Sequence, residues 1–175
     1  MKTFIAFCSL LSIAASASAQ EWINPVIKDY GKIKFYKNAE LVPDKNTEYK
    51  MVFDLTLDSQ GDSINKGLNK IARAINLLGA SGVPKEKMYL VGIIHSNTTS
   101  VILSNEAHRK RTGKDNPNMD LLKVLTENGV KFYVCGQSLA HRGIDIAEMN
   151  PYIDLSLSAM TSLTYFQYRG YALMP

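Results

Sequence analysis

Three side chains in the second half of the chain are suited to nucleophilic chemistry. Cys135 follows the apolar segment Val130 to Val134 and precedes a glycine, which predicts a thiol between the end of a strand and the start of a helix. The positive end of a helix dipole lowers the pKa of a thiol and so increases its reactive thiolate fraction. The alternative is a small core residue, since free cysteines are often buried. His95 and His141 are the other two candidates.

The two histidines have different predicted relations to the thiol. His95 ends an apolar segment of its own. If that segment and the one ending at Cys135 are neighbouring parallel strands, both side chains lie at one edge of the sheet, where a histidine can act as base for a thiol. His141 lies six residues after Cys135, beside Arg142, and could tune the thiol from the predicted helix. The alternatives are a structural histidine bonded to loop backbone at 95 and a solvated His–Arg pair at 141.

The first 19 residues have the pattern of a secretory signal peptide. Lys2 supplies the charged region, Phe4 to Ile13 a short apolar region, and Ala17-Ser18-Ala19 a cleavage site of the A-x-A type. The apolar region is too short to span a bilayer. The sequence therefore predicts cleavage before Gln20 and a periplasmic or secreted protein with no membrane insertion after cleavage. Cleavage after Ala17 is the alternative.

Metal and cofactor sites have little support in the sequence. Cys8 leaves with the leader, and one cysteine and three histidines remain, in none of the C-x-x-C or H-x-x-x-H spacings typical of zinc ligands. The first predicted strand is followed by neither G-x-G-x-x-G nor a Walker A pattern, and G-x-S-x-G is absent. The basic run His108 to Arg111 is typical of a solvated helix face, and the net charge of +4 is too small to indicate a nucleic-acid partner. We expect no cofactor, no metal and no nucleic acid.

The rest of the 175-residue chain alternates predicted strands and helices after an N-terminal arm at 20–48, which Trp22 is expected to anchor. Strands are predicted at Tyr49 to Leu57, Met88 to Ile94, Val130 to Val134, Ile153 to Leu157 and Tyr171 to Met174. This alternation over 49–175 predicts an α/β domain with a mainly parallel five-stranded sheet and helices on both faces.

Side-chain caps are predicted at the helix starts. Asp62 or Ser63 is expected to cap the first helix, which carries an apolar stripe from Ile64 to Leu78. Asn116 is expected to cap a later helix with Pro117 in its first turn, and Ser158 to cap the last helix.

Short segments spread over 49–175 form a recognisable combination. They are Asn65-Lys66-Gly67-Leu68, Ala72-Arg73-Ala74-Ile75-Asn76, the strand ending at His95, Leu103-Ser104-Asn105-Glu106, Asn116-Pro117, Val134-Cys135-Gly136-Gln137-Ser138-Leu139, Ser158-Ala159-Met160-Thr161 and Gly170-Tyr171-Ala172-Leu173. In this order they resemble the DsrE/DsrF-like family, also described as the YchN-like fold. The resemblance implies a three-layer α/β/α sandwich that assembles as a homotrimer or homohexamer.

The resemblance also implies a role for one residue. In sulfur-relay members of the family, a cysteine at this edge of the sheet carries sulfur as a persulfide between donor and acceptor proteins, and Cys135 matches its position. The expected partners are a sulfur donor or acceptor protein or a small sulfane-sulfur compound. Those members act in the cytoplasm, whereas the leader of this chain predicts export.

Three functional hypotheses follow. The leading one is an exported sulfur carrier that uses Cys135 as its nucleophile. The second is a non-enzymatic oligomeric module that binds a ligand or protein and keeps Cys135 buried. The third is a thiol-redox protein, which would need a resolving cysteine from another chain because Cys135 has no partner in its own.

Overall fold

The computed structural model describes residues 20–56 and 63–175, so the predicted leader and Asp62 lie outside the described residues. A five-stranded sheet forms its centre. In chain order the strands are β1 (Tyr49–Leu55), β2 (Met88–Ile94), β3 (Lys131–Cys135), β4 (Asp154–Ser156) and β5 (Ala172–Met174). Their order across the sheet is β4-β3-β2-β1-β5, and every neighbouring pair is parallel. The predicted α/β architecture is confirmed.

Within the described residues, five α-helices and three 3-10 helices connect the strands. The α-helices are α1 (Lys66–Ala80), α2 (Asn105–Thr112), α3 (Met119–Glu127), α4 (Gly136–Arg142) and α5 (Ala159–Gln167), and the 3-10 helices span Lys85–Lys87, Ser96–Ile102 and Ile146–Glu148. In the described part of the chain, no helix combines the length and apolarity needed to cross a bilayer.

The two faces of the sheet are covered unequally. Inward residues of α1 and α3, such as Leu68 and Leu121, form the larger core with Phe53 and Phe132 of the sheet. The other face carries a smaller core of Val52, Val91, Ile93, Cys135 and Ala159, against which α5 also packs Leu163 and Phe166. Because side chains alternate along a strand, Val134 faces the larger core while Cys135 faces α5.

Two of the predicted helix caps are wrong. Asn65, not Ser63, caps α1, because its side-chain oxygen accepts hydrogen bonds from the backbone N–H groups of Gly67 (2.8 Å) and Leu68 (3.2 Å). α3 begins at Met119, so Asn116 does not cap it.

The side chain of Asn116 has a different role. It is buried and donates to the carbonyl oxygens of Val101 (2.8 Å) and Leu103 (2.7 Å). These bonds stabilise the end of the 3-10 helix that follows β2. The predicted cap at Ser158 is confirmed, since its hydroxyl oxygen accepts from the Thr161 N–H at 3.1 Å.

The N-terminal arm is held by α1 and not by Trp22. Trp22 is 58% exposed, whereas Ile27 is fully buried in the larger core. The side-chain oxygen of Asn76, in the middle of α1, accepts hydrogen bonds from the N–H groups of Val26 (2.9 Å) and Ile27 (2.8 Å). Its amide nitrogen donates to the carbonyl of Tyr30 at 2.9 Å. A buried amide on the helix therefore does what the tryptophan was expected to do.

Candidate functional site

The carboxyl ends of the central strands bring the candidate residues to one edge of the sheet. β2 and β3 are parallel neighbours, with Ile94 opposite Val134, so the condition under which His95 and Cys135 share an edge is met. His95 and Cys135 therefore lie at the same edge, and Asp54 reaches it from β1. In open α/β sheets this edge is where ligands bind and reactions occur.

The sulfur of Cys135 is enclosed by hydrogen-bond donors from two helices. The residue is 5% exposed and forms no disulfide. Hydrogen bonding by the backbone of Ala159, in the first turn of α5, and of Ser138 and Gln137, in the first turn of α4, lowers the pKa of its thiol. The Ser138 side chain contributes to the same effect. We call this set of donors the sulfur cradle.

The sulfur cradle favours the ionised thiol. Burial alone raises the pKa of Cys135, but the hydrogen bonds from Ala159, Ser138 and Gln137 outweigh it and hold the pKa below its ordinary value. The helix start after Cys135 was predictable from the sequence. The contribution of Ala159 was not, because it depends on how α5 packs against β3.

Gly136 allows the first turn of α4 to lie close to β4. A Cβ atom at this position would be 3.1 Å from the carbonyl oxygen of Ser156, which is closer than most Cβ contacts. The Ser156 hydroxyl in turn donates to the carbonyl oxygen of Val134 at 3.0 Å, joining β4 to β3. The glycine after the cysteine therefore sets the spacing between the thiol and the end of β4.

His95 lies at the same edge of the sheet as Cys135, but its ring nitrogens are bonded to other side chains. Its Nε2 atom is 2.6 Å from Oδ1 of Asp54, and its Nδ1 atom is 3.1 Å from the hydroxyl of Ser96. Within the described residues both ring nitrogens thus have partners, and neither partner is Cys135. Sequence reasoning missed Asp54. The available signal was a carboxylate that follows the apolar residues Met51 to Phe53 of β1, one residue from the carboxyl end of the strand.

His141 lies at the far end of α4. It is exposed in the last turn, and six residues of helix correspond to about 9 Å along the axis from Cys135. Its neighbour Arg142 donates to the side-chain oxygen of Asn97 at 2.9 Å. The structure does not bring His141 to the sulfur. Among the described residues no group of three or more His, Cys, Asp or Glu side chains is arranged to hold a metal ion.

An apolar groove begins beside the thiol. It lies between α4 and β4, has a volume of about 400 Å³, and includes Gly136 and Gln137 next to Cys135. Leu155 and Leu157 on its β4 side are 46% and 75% exposed, and Ile146 on the other side is 59% exposed. The edge strand thus presents apolar side chains to solvent close to the sulfur cradle.

Comparisons with solved structures find proteins of similar fold, of which two are described. A solved structure of MTH1491 from Methanobacterium thermoautotrophicum, described as a protein of unknown function, is similar with a TM-score of 0.57 at 20% identity, covering 73% of this chain and 98% of that one. The crystal structure of the E. coli ychN protein has a TM-score of 0.48 at 16% identity, covering 71% of this chain and 96% of that one. No curated protein sequence matches the chain.

A family model matches most of the chain. It is that of the DsrE/DsrF-like family, and it covers residues 50–175, from the start of β1 through Cys135 to the last residue. At 20% identity, the similarity to the MTH1491 structure shows the fold alone. The match over these residues and the five-stranded parallel sheet together show that the chain belongs to the DsrE/DsrF-like family.

Proposed function

We propose that the protein is an exported sulfur carrier in which Cys135 holds sulfane sulfur as a persulfide. The observation that carries the proposal is the position of Cys135 at the end of β3, directly before α4 and packed against Ala159 at the start of α5, where the sulfur cradle lowers the pKa of its thiol. Such a cradle favours the thiolate, which is the nucleophilic form of cysteine. Membership of the DsrE/DsrF-like family supports the proposal, because its sulfur-relay members carry sulfur on a cysteine at the matching position.

The loading step is a thiolate–sulfane exchange. The Cys135 thiolate attacks a terminal sulfur of a polysulfide, and a new S–S bond forms as the old one breaks. The shortened polysulfide leaves with the bonding electron pair. No external oxidant or reductant is needed, because the sulfane sulfur is already at the oxidation level of the persulfide.

The unloading step uses the same cradle. An acceptor thiolate attacks the outer sulfur of the persulfide, and Cys135 leaves as a thiolate. Thiols of low pKa are better leaving groups in such exchanges. Hydrogen bonds that stabilise the Cys135 thiolate therefore assist both loading and release.

The burial of Cys135 limits the size of the sulfur donor that can reach its thiol. With 5% exposure, Cys135 is more accessible to a small sulfane-sulfur compound than to a folded donor protein. A donor or acceptor protein would have to present its sulfur on an extended segment. The groove with Leu155 and Leu157 is the apolar surface next to the thiol, available to such a partner or to the neighbouring subunit of a homotrimer or homohexamer.

Intact mass spectrometry tests the proposal. The protein without residues 1–19 is incubated briefly with polysulfide, beside Cys135→Ser, in which the sulfur is replaced by oxygen. We expect a gain of one sulfur atom that reductant reverses and the variant lacks. A folded native protein that gains no sulfur would refute the carrier function.

The burial of Cys135 favours a second candidate, a non-enzymatic oligomeric binding module with a buried cysteine. Titration of the native protein with a small alkylating reagent separates the two. Rapid labelling at neutral pH supports the carrier. Labelling that occurs only after unfolding supports the binding module, with His95 and His141 as structural residues.

A further inference from the structure

A chain of hydrogen bonds connects Asp54 to the sulfur cradle. Asp54 contacts Nε2 of His95 at 2.6 Å, and Nδ1 of His95 contacts the Ser96 hydroxyl at 3.1 Å. The backbone N–H of Ser96 donates to the hydroxyl oxygen of Ser138 at 3.3 Å. Ser138 lies in the first turn of α4, which directly follows Cys135, and hydrogen bonding by its side chain is one cause of the lowered pKa of the thiol.

The chemistry of the groups fixes the direction of these bonds. A carboxylate only accepts hydrogen bonds, so Nε2 of His95 carries the hydrogen that faces Asp54. Nδ1 and the Ser96 hydroxyl share the next hydrogen bond. Because the Ser96 N–H occupies a lone pair of the Ser138 oxygen, the Ser138 hydrogen is free to point at the sulfur. Each bond in the chain orients the next one.

Ser96 adopts a backbone conformation that needs support. Its φ angle is +55°, in the left-handed region that serine rarely occupies. Such strain persists only where the surroundings impose it. Here the conformation directs the Ser96 N–H toward Ser138 while its hydroxyl bonds to His95.

We propose that Asp54 and His95 are positioning residues for Cys135. Together they hold the left-handed turn at Ser96, which orients the Ser138 hydroxyl toward the sulfur. The inference rests on the proposed function of Cys135 and adds Asp54, Ser96 and Ser138 to its site. Neither Asp54 nor His95 exchanges a proton with the thiol in this scheme. Asp54 contacts His95 at 2.6 Å, and no charged side chain is among the causes of the lowered pKa of Cys135.

The test measures the pH profile of Cys135 alkylation by iodoacetamide in Asp54→Asn, Ser138→Ala and the double variant. Asp115→Asn, which alters an exposed carboxylate bonded to Arg109, is the matched control. We expect Asp54→Asn to slow alkylation at neutral pH about threefold to tenfold and to move the profile to higher pH, since a misdirected hydroxyl stabilises the thiolate less. Asp54→Asn should add no further slowing to Ser138→Ala, because the effect passes through Ser138.

Two outcomes would overturn the inference. One is a profile of folded Asp54→Asn that matches the wild type. The other is equal slowing by Asp54→Asn with and without the Ser138 hydroxyl, which would mean that Asp54 acts by another route. Circular dichroism and thermal unfolding confirm that each variant is folded.

Ser96→Gly provides a second measurement in case Asp54→Asn does not fold. Glycine adopts the left-handed conformation without strain, so the turn should persist without help from His95. We expect alkylation within about twofold of the wild type, whereas Ser96→Ala, which keeps the strain, should resemble Ser138→Ala. Equal loss in both Ser96 variants would refute the role of the turn. Polysulfide loading is measured separately, so a failed carrier function and a failed positioning role are distinguishable.

Discussion

Removal of the Ser138 hydroxyl should shift the reactivity of Cys135 along the pH axis. In Ser138→Ala the backbone N–H of residue 138 stays, and only the side-chain donor to the sulfur is lost. A hydrogen bond to a charged group contributes roughly 1.5–3 kcal/mol. Ser138 is only half-buried, so we expect the lower end of that range, about 1.5 kcal/mol, which corresponds to about a tenfold smaller thiolate fraction near neutral pH.

The direction of the pKa shift of Cys135 determines how the alkylation rate should change with pH. Hydrogen bonds hold the pKa of Cys135 below its ordinary value, so loss of a donor moves the pKa upward. Alkylation of Ser138→Ala should be slower than that of the wild type at neutral pH. The two rates should converge at high pH, where both thiols are ionised.

The assay is the rate of iodoacetamide alkylation of the native protein across pH, followed by intact mass. Ser81→Ala is the matched control, because the Ser81 hydroxyl donates to the carbonyl of Leu77 at the other end of α1, away from the thiol edge. Identical pH profiles for Ser138→Ala and the wild type would refute the reasoning. A uniform slowing at every pH would also refute it, since that indicates altered access and not altered ionisation.

Three further predictions concern stability. Gly136→Ala should lower the free energy of unfolding by about 1–3 kcal/mol in urea, because its Cβ would crowd the Ser156 carbonyl; unchanged or increased stability, as expected from helix propensity alone, would contradict this. Asn76→Ala should cost about 2–4 kcal/mol and expose the arm to limited proteolysis, because it leaves the buried N–H of Ile27 without its acceptor; an arm as resistant as in the wild type would argue against it. The pKa of Cys135 is depressed in the folded state, so its contribution to stability is lost as pH falls through the folded pKa. The stability of the wild type relative to Cys135→Ser should therefore rise from neutral pH toward the ordinary thiol pKa, and a difference that falls over this interval would contradict the cradle.

The sequence predicted the parts of the site that depend on local pattern. The apolar segment before Cys135 and the glycine after it were enough to place the thiol between a strand and a helix, and both elements are present. The shared edge of His95 and Cys135 followed from the rule that the carboxyl ends of neighbouring parallel strands lie together, once β2 and β3 are neighbours. Periodicity and turn chemistry act within a few residues, which is why these features could be predicted.

The missed features depend on contacts between distant segments. The N–H of Ala159 reaches a sulfur 24 positions earlier in the chain, and Asp54 meets a histidine 41 positions later. The wrong caps have a related cause. Asn116 lies before a helix and looks like its cap, but its side-chain oxygen accepts from the N–H of Asn118, ahead of α3, while its amide nitrogen donates to the carbonyls of Val101 and Leu103. Tertiary contacts override local preference where a buried backbone group needs a partner.

The register of β3 explains why the thiol is available for chemistry. Phe132 and Val134 face the larger core, whose helices α1 and α3 cover the sheet with apolar side chains. Tyr133 and Cys135 face the other side, where α5 begins beside the end of the strand. A shift of one residue would exchange the two faces and bury the sulfur in the larger core, away from the Ala159 N–H. The strand pattern that fills the core therefore also places Cys135 where the starts of two helices meet.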